Sequence, residues 1–211
     1  MAASTAPSLR RFAPGDLFLT HRRAGRRTID GVRRISSAVL AVVLLLSGCA
    51  GNASRAADFS LTADDGRPWT LSAQHGHAVL LTFGFTHCAD TCPETLGKLA
   101  HLRRALGPSG DAVEIAMVTV DPHRDSVPVL RRFVERFDGP VTGLTGTPAQ
   151  VARVENAYHV WSQRVPGHTA GSYDVVHSAT IYFIDARGNV RDIHDDGESE
   201  ADLNSAVRAM L

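Results

Sequence analysis

A chain of 211 residues, 44% hydrophobic and 21% charged, has room for one compact domain of ordinary size and an N-terminal extension. Its formal charge is zero, but the first 48 residues carry eight of the 22 basic side chains and two of the 22 acidic ones, leaving 14 against 20 beyond them. An acidic domain lacks the clustered Lys and Arg that a phosphate backbone requires, which argues against DNA and RNA as partners.

An apolar stretch with SAVLAVVLLL at its heart runs from Ile35 to Leu46, behind Arg33 and Arg34 and ahead of Ser47, Gly48 and Cys49. It is too short to span a bilayer comfortably, and a basic flank, a short apolar run and small residues describe a secretory signal peptide. LSGC resembles the bacterial lipobox, in which the cysteine receives a lipid. Residues 1–48 are therefore expected to be a signal peptide with an N-terminal extension. Residues 49–57 are expected to be a tether lipidated at Cys49, and 58–211 the folded domain. This address implies a lipid-anchored protein on the extracytoplasmic side of the cell membrane.

Behind the tether, DFSLTADDGRPWTLS reads as an N-terminal β-hairpin turning at Asp65 and Gly66. AVLLTF, from Ala78 to Phe83, and VEIAMVTV, from Val113 to Val120, suit buried parallel strands. Between them Leu96, Leu99 and Leu102 place a helix over about 93–106, completing a βαβ unit. A second helix is expected over about 128–137, with Leu130, Phe133, Val134 and Phe137 on one face. A third is opened by Thr147 as cap, Pro148 and Gln150. TIYFID and NVRDIH, joined at 186–188, read as an antiparallel hairpin, and Ser199 and Asp202 open a last helix to Leu211. Trp161–Val176 is expected to be a loop hinged at Gly167 and Gly171. The order fits an α/β fold, a mixed sheet with helices on both faces, and a cysteine motif at the first βα junction points to a thioredoxin-like architecture.

Cys88 and Cys92 stand at that junction, in FGFTHCADTCPE. Thr91 and Glu94 are expected to form a capping box, setting Cys92 in the first helical turn and Cys88 in the loop before it. Free amides and the helix dipole favour thiolate there. Such a pair can close to a disulfide or hold a soft cation such as Cu(I). A third ligand would complete a trigonal site, and His177 is the candidate, opening the strand HSATIYFID; an imidazole would accommodate Cu(II) as well. His123 and His168 lie on loops that could approach as auxiliary ligands. His87 is expected to turn away from Cys88, and His75, His77, His101, His159 and His194 to be solvated.

Three ordered segments resemble the Sco/SenC family: FGFTHCADTCPETL, matching its CxxxCP motif; TVDPHRDS, matching its DPxRD segment; and YDVVHSATIYFID, matching its distal-histidine strand. The resemblance runs from about Phe59 to His194. It implies a membrane-anchored copper protein of thioredoxin fold, with Cys88, Cys92 and His177 as ligands for Cu(I) or Cu(II). The copper-site subunit of cytochrome c oxidase is the implied partner, beside other copper carriers or thiol reductants. Ala89 and Phe85 depart from common family residues at positions expected not to touch a ligand. Asp121 matches a family position near the metal loop or serves as a turn former. Besides copper delivery to the dinuclear centre, the same residues allow a thiol-disulfide oxidoreductase using Cys88 and Cys92 on the oxidase cysteines. A peroxidase of related fold fits less well, because it needs Arg and Thr beside one cysteine.

Overall fold

The computed structural model describes residues 54–211. The expected signal peptide, the expected lipidation position Cys49 and most of the expected tether lie outside the described residues, and among those described no helix is long and apolar enough to cross a membrane. Chain order is β1 (Ser54–Arg55), β2 (Ser60–Ala63), β3 (Pro68–Thr70), β4 (Ala78–Gly84), α1 (Thr91–Ala105), β5 (Val113–Thr119), α2 (Val127–Val134), β6 (Thr142–Thr145), α3 (Pro148–Ala157), β7 (Ser162–Pro166), β8 (Tyr173–His177), β9 (Thr180–Ile184), β10 (Asn189–Asp195) and α4 (Glu200–Arg208). Eight strands form one mixed sheet in the order β1-β10-β9-β4-β5-β6-β2-β3, while β7 and β8 form a separate antiparallel pair.

The centre of the sheet follows from the two longest apolar runs. All seven residues of β4 are buried, and β5 is buried but for Glu114, as a strand covered on both faces must be. They pair in parallel from Ala78 opposite Val113 to Gly84 opposite Thr119, and β9 flanks β4 antiparallel. Side chains alternate between two cores. Val79, Leu81 and Phe83 join Val118, Tyr182, Val151 and Val154 beneath α3, whereas Leu80 joins Leu96, Leu99, Leu130, Phe133, Leu203 and Val207 beneath α1, α2 and α4. This is a thioredoxin-like sheet with helices on both faces.

Local signals explain several boundaries. Thr147 accepts from the Gln150 amide and Gln150 reaches back to the Thr147 amide, the capping box read from sequence. Ser199 caps α4 by accepting from the Asp202 amide. Strands β2 and β3 pair antiparallel around Asp65 and Gly66, the latter at φ +87, where glycine carries no Cβ penalty.

Other parts depart from the sequence reading. The sheet begins at Ser54–Arg55, paired with Val190 and Asn189, so ordered structure starts before Asp58. Strand β6 was not foreseen; four residues, TGLT, are too few and too polar to show alternation. The segment read as the Trp161–Val176 loop holds the β7–β8 hairpin, with Gly167 and Gly171 in its turn. A Cβ on Gly167 would meet Ser172 Oγ at 2.4 Å, and Gly171 sits at φ +80. His177 accordingly ends β8 rather than opening the next strand, which starts at Thr180.

Candidate metal centre

Helix α1 leaves the C-terminal end of β4 through the tight loop 85–90, where the Cys88 amide donates to Phe85 O at 3.2 Å. Asp90 is the N-cap and makes no side-chain capping bond. The expected Thr91–Glu94 box is absent because Glu94 turns outward to Lys98, 2.8 Å away. The Cys88 sulfur takes that role: it accepts the Cys92 amide at 3.3 Å, an unpaired donor of the first turn. Cys92 is buried and Cys88 half-buried, and both are free thiols.

These contacts split the two sulfurs. The Cys92 thiol, hydrogen-bonded to the Cys88 sulfur, is the largest influence lowering Cys88 to about 6; burial opposes it, and the amides of Cys92, Asp90 and Thr91 add to it. Cys92 is pushed strongly upward, first by that same bond and then by burial. At neutral pH the pair is therefore one thiolate holding one thiol proton. Glycine at 84 makes room beneath it: a Cβ there would lie 3.0 Å from Cys92 Sγ and 3.3 Å from Met117 Sδ.

His177 reaches the same place from the hairpin. It lines the cleft of about 440 Å³ that also exposes Cys88, and it lines the small void of about 10 Å³ behind Cys92. Its Nε2 lies 3.2 Å from Phe83 O, and its ring meets the Phe85 ring edge-on at 5.7 Å. Burial lowers its basicity against the opposing pull of the Phe83 and Val175 carbonyls, which keeps the ring neutral. Phe85, expected not to touch a ligand residue, thus packs on His177 itself. The structure brings Cys88 and His177 to one cleft and sets Cys92 with His177 around the void behind it, but among the described residues no three His, Cys, Asp or Glu side chains stand in a ligating group. The imidazole is held by the Phe83 carbonyl instead.

The cleft wall carries Asp90, Asp174 and Asp196 and no Arg or Lys, a potential that favours a cation over an anion. His87 also lines it, half-exposed, with Nδ1 3.1 Å from Thr86 Oγ1. His123 and His168 are exposed and do not line it. His194, expected to be solvated, is largely enclosed: it bonds Glu198, pairs with Asp192 at 3.1 Å and packs on Phe183 at 4.7 Å.

Of the two aspartates of DPHRDS, Asp121 had two readings, a position near the metal loop or a turn former, and Asp125 had none. Asp121 and Asp125 are both fully buried. Asp125 accepts from the Thr86 amide at 3.0 Å, from the Thr86 hydroxyl at 2.6 Å and from the Thr119 hydroxyl at 2.6 Å. Asp121 accepts from the Tyr173 hydroxyl at 2.9 Å and from Arg124, with Arg164 at 3.4 Å. Asp beside Pro is a common turn signal, and nothing in one sequence separates a turn former from a buried anchor.

Comparisons with known proteins bear on the family and the fold. The family model described as SCO1/SenC matches residues 48–211. The bovine mitochondrial protein SCO2 homolog is 37% identical over 153 residues, covering 72% of this chain and 58% of the bovine protein. The mouse mitochondrial SCO1 homolog is 33% identical over 155 residues, covering 72% and 55%. The chain thus spans less than two thirds of the length of these relatives. Among solved structures, Bradyrhizobium japonicum ScoI with copper bound matches with a TM-score of 0.68 at 30% identity, covering 75% of this chain and 100% of that one. Yeast Sco1 with copper bound matches with 0.64 at 29% identity, covering 75% and 91%. A family match over three quarters of the chain, relatives above 30% identity and the fold described here agree: the chain belongs to the SCO1/SenC family.

Proposed function

We propose that this chain is a copper carrier, tethered by a lipid on Cys49 to the extracytoplasmic face of the membrane. It takes one copper ion on Cys88, Cys92 and His177 and delivers it to the dinuclear copper centre of a cytochrome c oxidase subunit. The observation that carries the reading is a pair of cysteine sulfurs at a helix mouth, the outer one accepting the Cys92 amide at 3.3 Å, beside an acidic cleft that an imidazole also lines. Two thiolates suit Cu(I), and a neutral imidazole extends the set to Cu(II). Two relatives, the Bradyrhizobium and yeast proteins, have been solved holding copper. Uptake requires Cys92 to lose its proton and the His177 ring to leave the Phe83 carbonyl. Exposed Trp161 and Val176, at the base of the β7–β8 hairpin, offer apolar area beside the cleft for a docking partner.

The test is anaerobic titration of the reduced, detergent-solubilised chain with copper, followed by absorption and EPR. One equivalent bound tightly, and lost in Cys88→Ser and His177→Ala, is the expected result. Unchanged binding in His177→Ala removes the imidazole from the site.

The divided pair of sulfurs also supports a second reading, reduction of the oxidase cysteines. The Cys88 thiolate attacks a partner disulfide, releasing one partner thiolate and forming a mixed disulfide. Cys92, once deprotonated, displaces the second, so the partner leaves with two thiols and the chain with a Cys88–Cys92 disulfide. In that reading His177→Ala still supports oxidase maturation, whereas copper delivery does not survive it.

A further inference from the structure

The two halves of the site sit on elements with little in common. The sulfurs belong to the loop between β4 and α1, fixed to the main sheet. The imidazole belongs to the β7–β8 hairpin, which shares no ladder with that sheet. Among the described residues, every hydrogen bond or ion pair from Ser162–His177 to the rest of the chain ends on Asp121 or Arg124, apart from the His177 bond to Phe83 O. Arg124 spans the same junction, donating to Tyr173 O at 3.0 Å while its guanidinium lies 3.9 Å over the Tyr173 ring. Tyr173 begins the strand that His177 ends.

Asp125 faces the other way. Its carboxylate takes the amide and hydroxyl of Thr86, two residues before Cys88, while its backbone carbonyl takes the Thr145 hydroxyl at 3.0 Å. A fully buried carboxylate with fixed donors transmits its position to whatever carries those donors, since an unmade bond there costs its full desolvation.

We propose that Asp125 and Asp121 are positioning residues with separate duties: Asp125 sets the thiol loop and Asp121 sets the imidazole hairpin, so one short segment fixes the separation between sulfurs and ring. This deepens the site reading above and rests on Cys88, Cys92 and His177 acting together.

The test uses the metal-free, reduced full chain in detergent and two readouts. The first is the alkylation rate of Cys88 by iodoacetamide at pH 7; the second is the ring ¹H–¹⁵N signals of His177, assigned with His177→Gln. Asp125→Asn and Thr86→Val are expected to change the alkylation rate at least threefold and leave the ring signals in place. Asp121→Asn and Tyr173→Phe are expected to shift the ring signals and leave alkylation within twofold. Thr86→Val and Tyr173→Phe each delete one hydroxyl and carry the comparison if an aspartate variant fails to fold. Both readouts moving in the same variant, or neither moving in any, overturns the division. Neither readout involves copper, so a failed division of duties and a failure of the unmodified chain to bind copper are told apart.

Discussion

Replacing Cys92 by alanine removes the thiol proton that the Cys88 sulfur accepts and leaves the amides of the helix mouth in place. A hydrogen bond to a charged acceptor contributes about 1.5–3 kcal/mol. Cys88 is only half-buried, so solvent screening reduces this to about 1–1.5 kcal/mol. At about 1.4 kcal/mol per pH unit, the half-point for Cys88 ionisation should rise by roughly one pH unit from its starting value near 6. The assay is the rate of iodoacetamide addition to Cys88 between pH 4.5 and 9.5, followed by mass spectrometry on the metal-free chain. The profile should shift upward, and its plateau should rise about threefold, because a more basic thiolate is intrinsically more nucleophilic. A half-point that stays within about 0.3 pH unit of the unmodified protein would refute the claim that the second thiol, rather than the helix mouth, makes the first one acidic.

Three further outcomes follow from the same geometry. With Cys88 largely thiolate, Cys92 protonated and His177 neutral, copper uptake at pH 7 should release about one proton; calorimetry in buffers of different ionisation enthalpy counts it, and two protons would contradict the divided pair. Gly84→Ala places a methyl 3.0 Å from Cys92 Sγ and should cost about 1–3 kcal/mol in urea unfolding, and an unchanged midpoint would mean the sulfur moves freely. Burial opposes charge on His194, but Glu198 and Asp192 outweigh it and raise its affinity for a proton. A raised folded-state value stabilises fully below the unfolded value near 6.5 and is lost as pH rises through the folded one. The stability difference between the unmodified chain and His194→Gln should therefore be larger at pH 5.5 than at pH 8.5, and a reversed order would sink the assignment.

What could be read from the sequence was whatever depends on local pattern. Seven consecutive buried residues in β4 and the Thr147–Gln150 box each advertise themselves within a few positions. The cysteines declared their place through spacing at a strand-to-helix junction. What could not be read depends on distant partners. The hairpin β7–β8 is polar along much of its length because it lies outside the main sheet, so it looked like a loop. Asp121 could be read equally as a turn former and Asp125 gave no signal, because their donors, Tyr173 and Thr86, lie 52 and 39 positions away. The Thr91–Glu94 box satisfied the local pattern and still lost, since a sulfur four residues back reached the Cys92 amide and Glu94 found Lys98.

The two sulfurs occupy different depths, one at the lip of the cleft and one walled in behind it. Depth imposes chronology. Any soft acid or oxidised thiol coming in from solvent must join Cys88 before Cys92, and by microscopic reversibility the outer sulfur is the last to let go along the same route. A recipient therefore needs only one donor atom able to reach the rim: it joins the metal there while Cys92 lets go, and Cys88 hands over last.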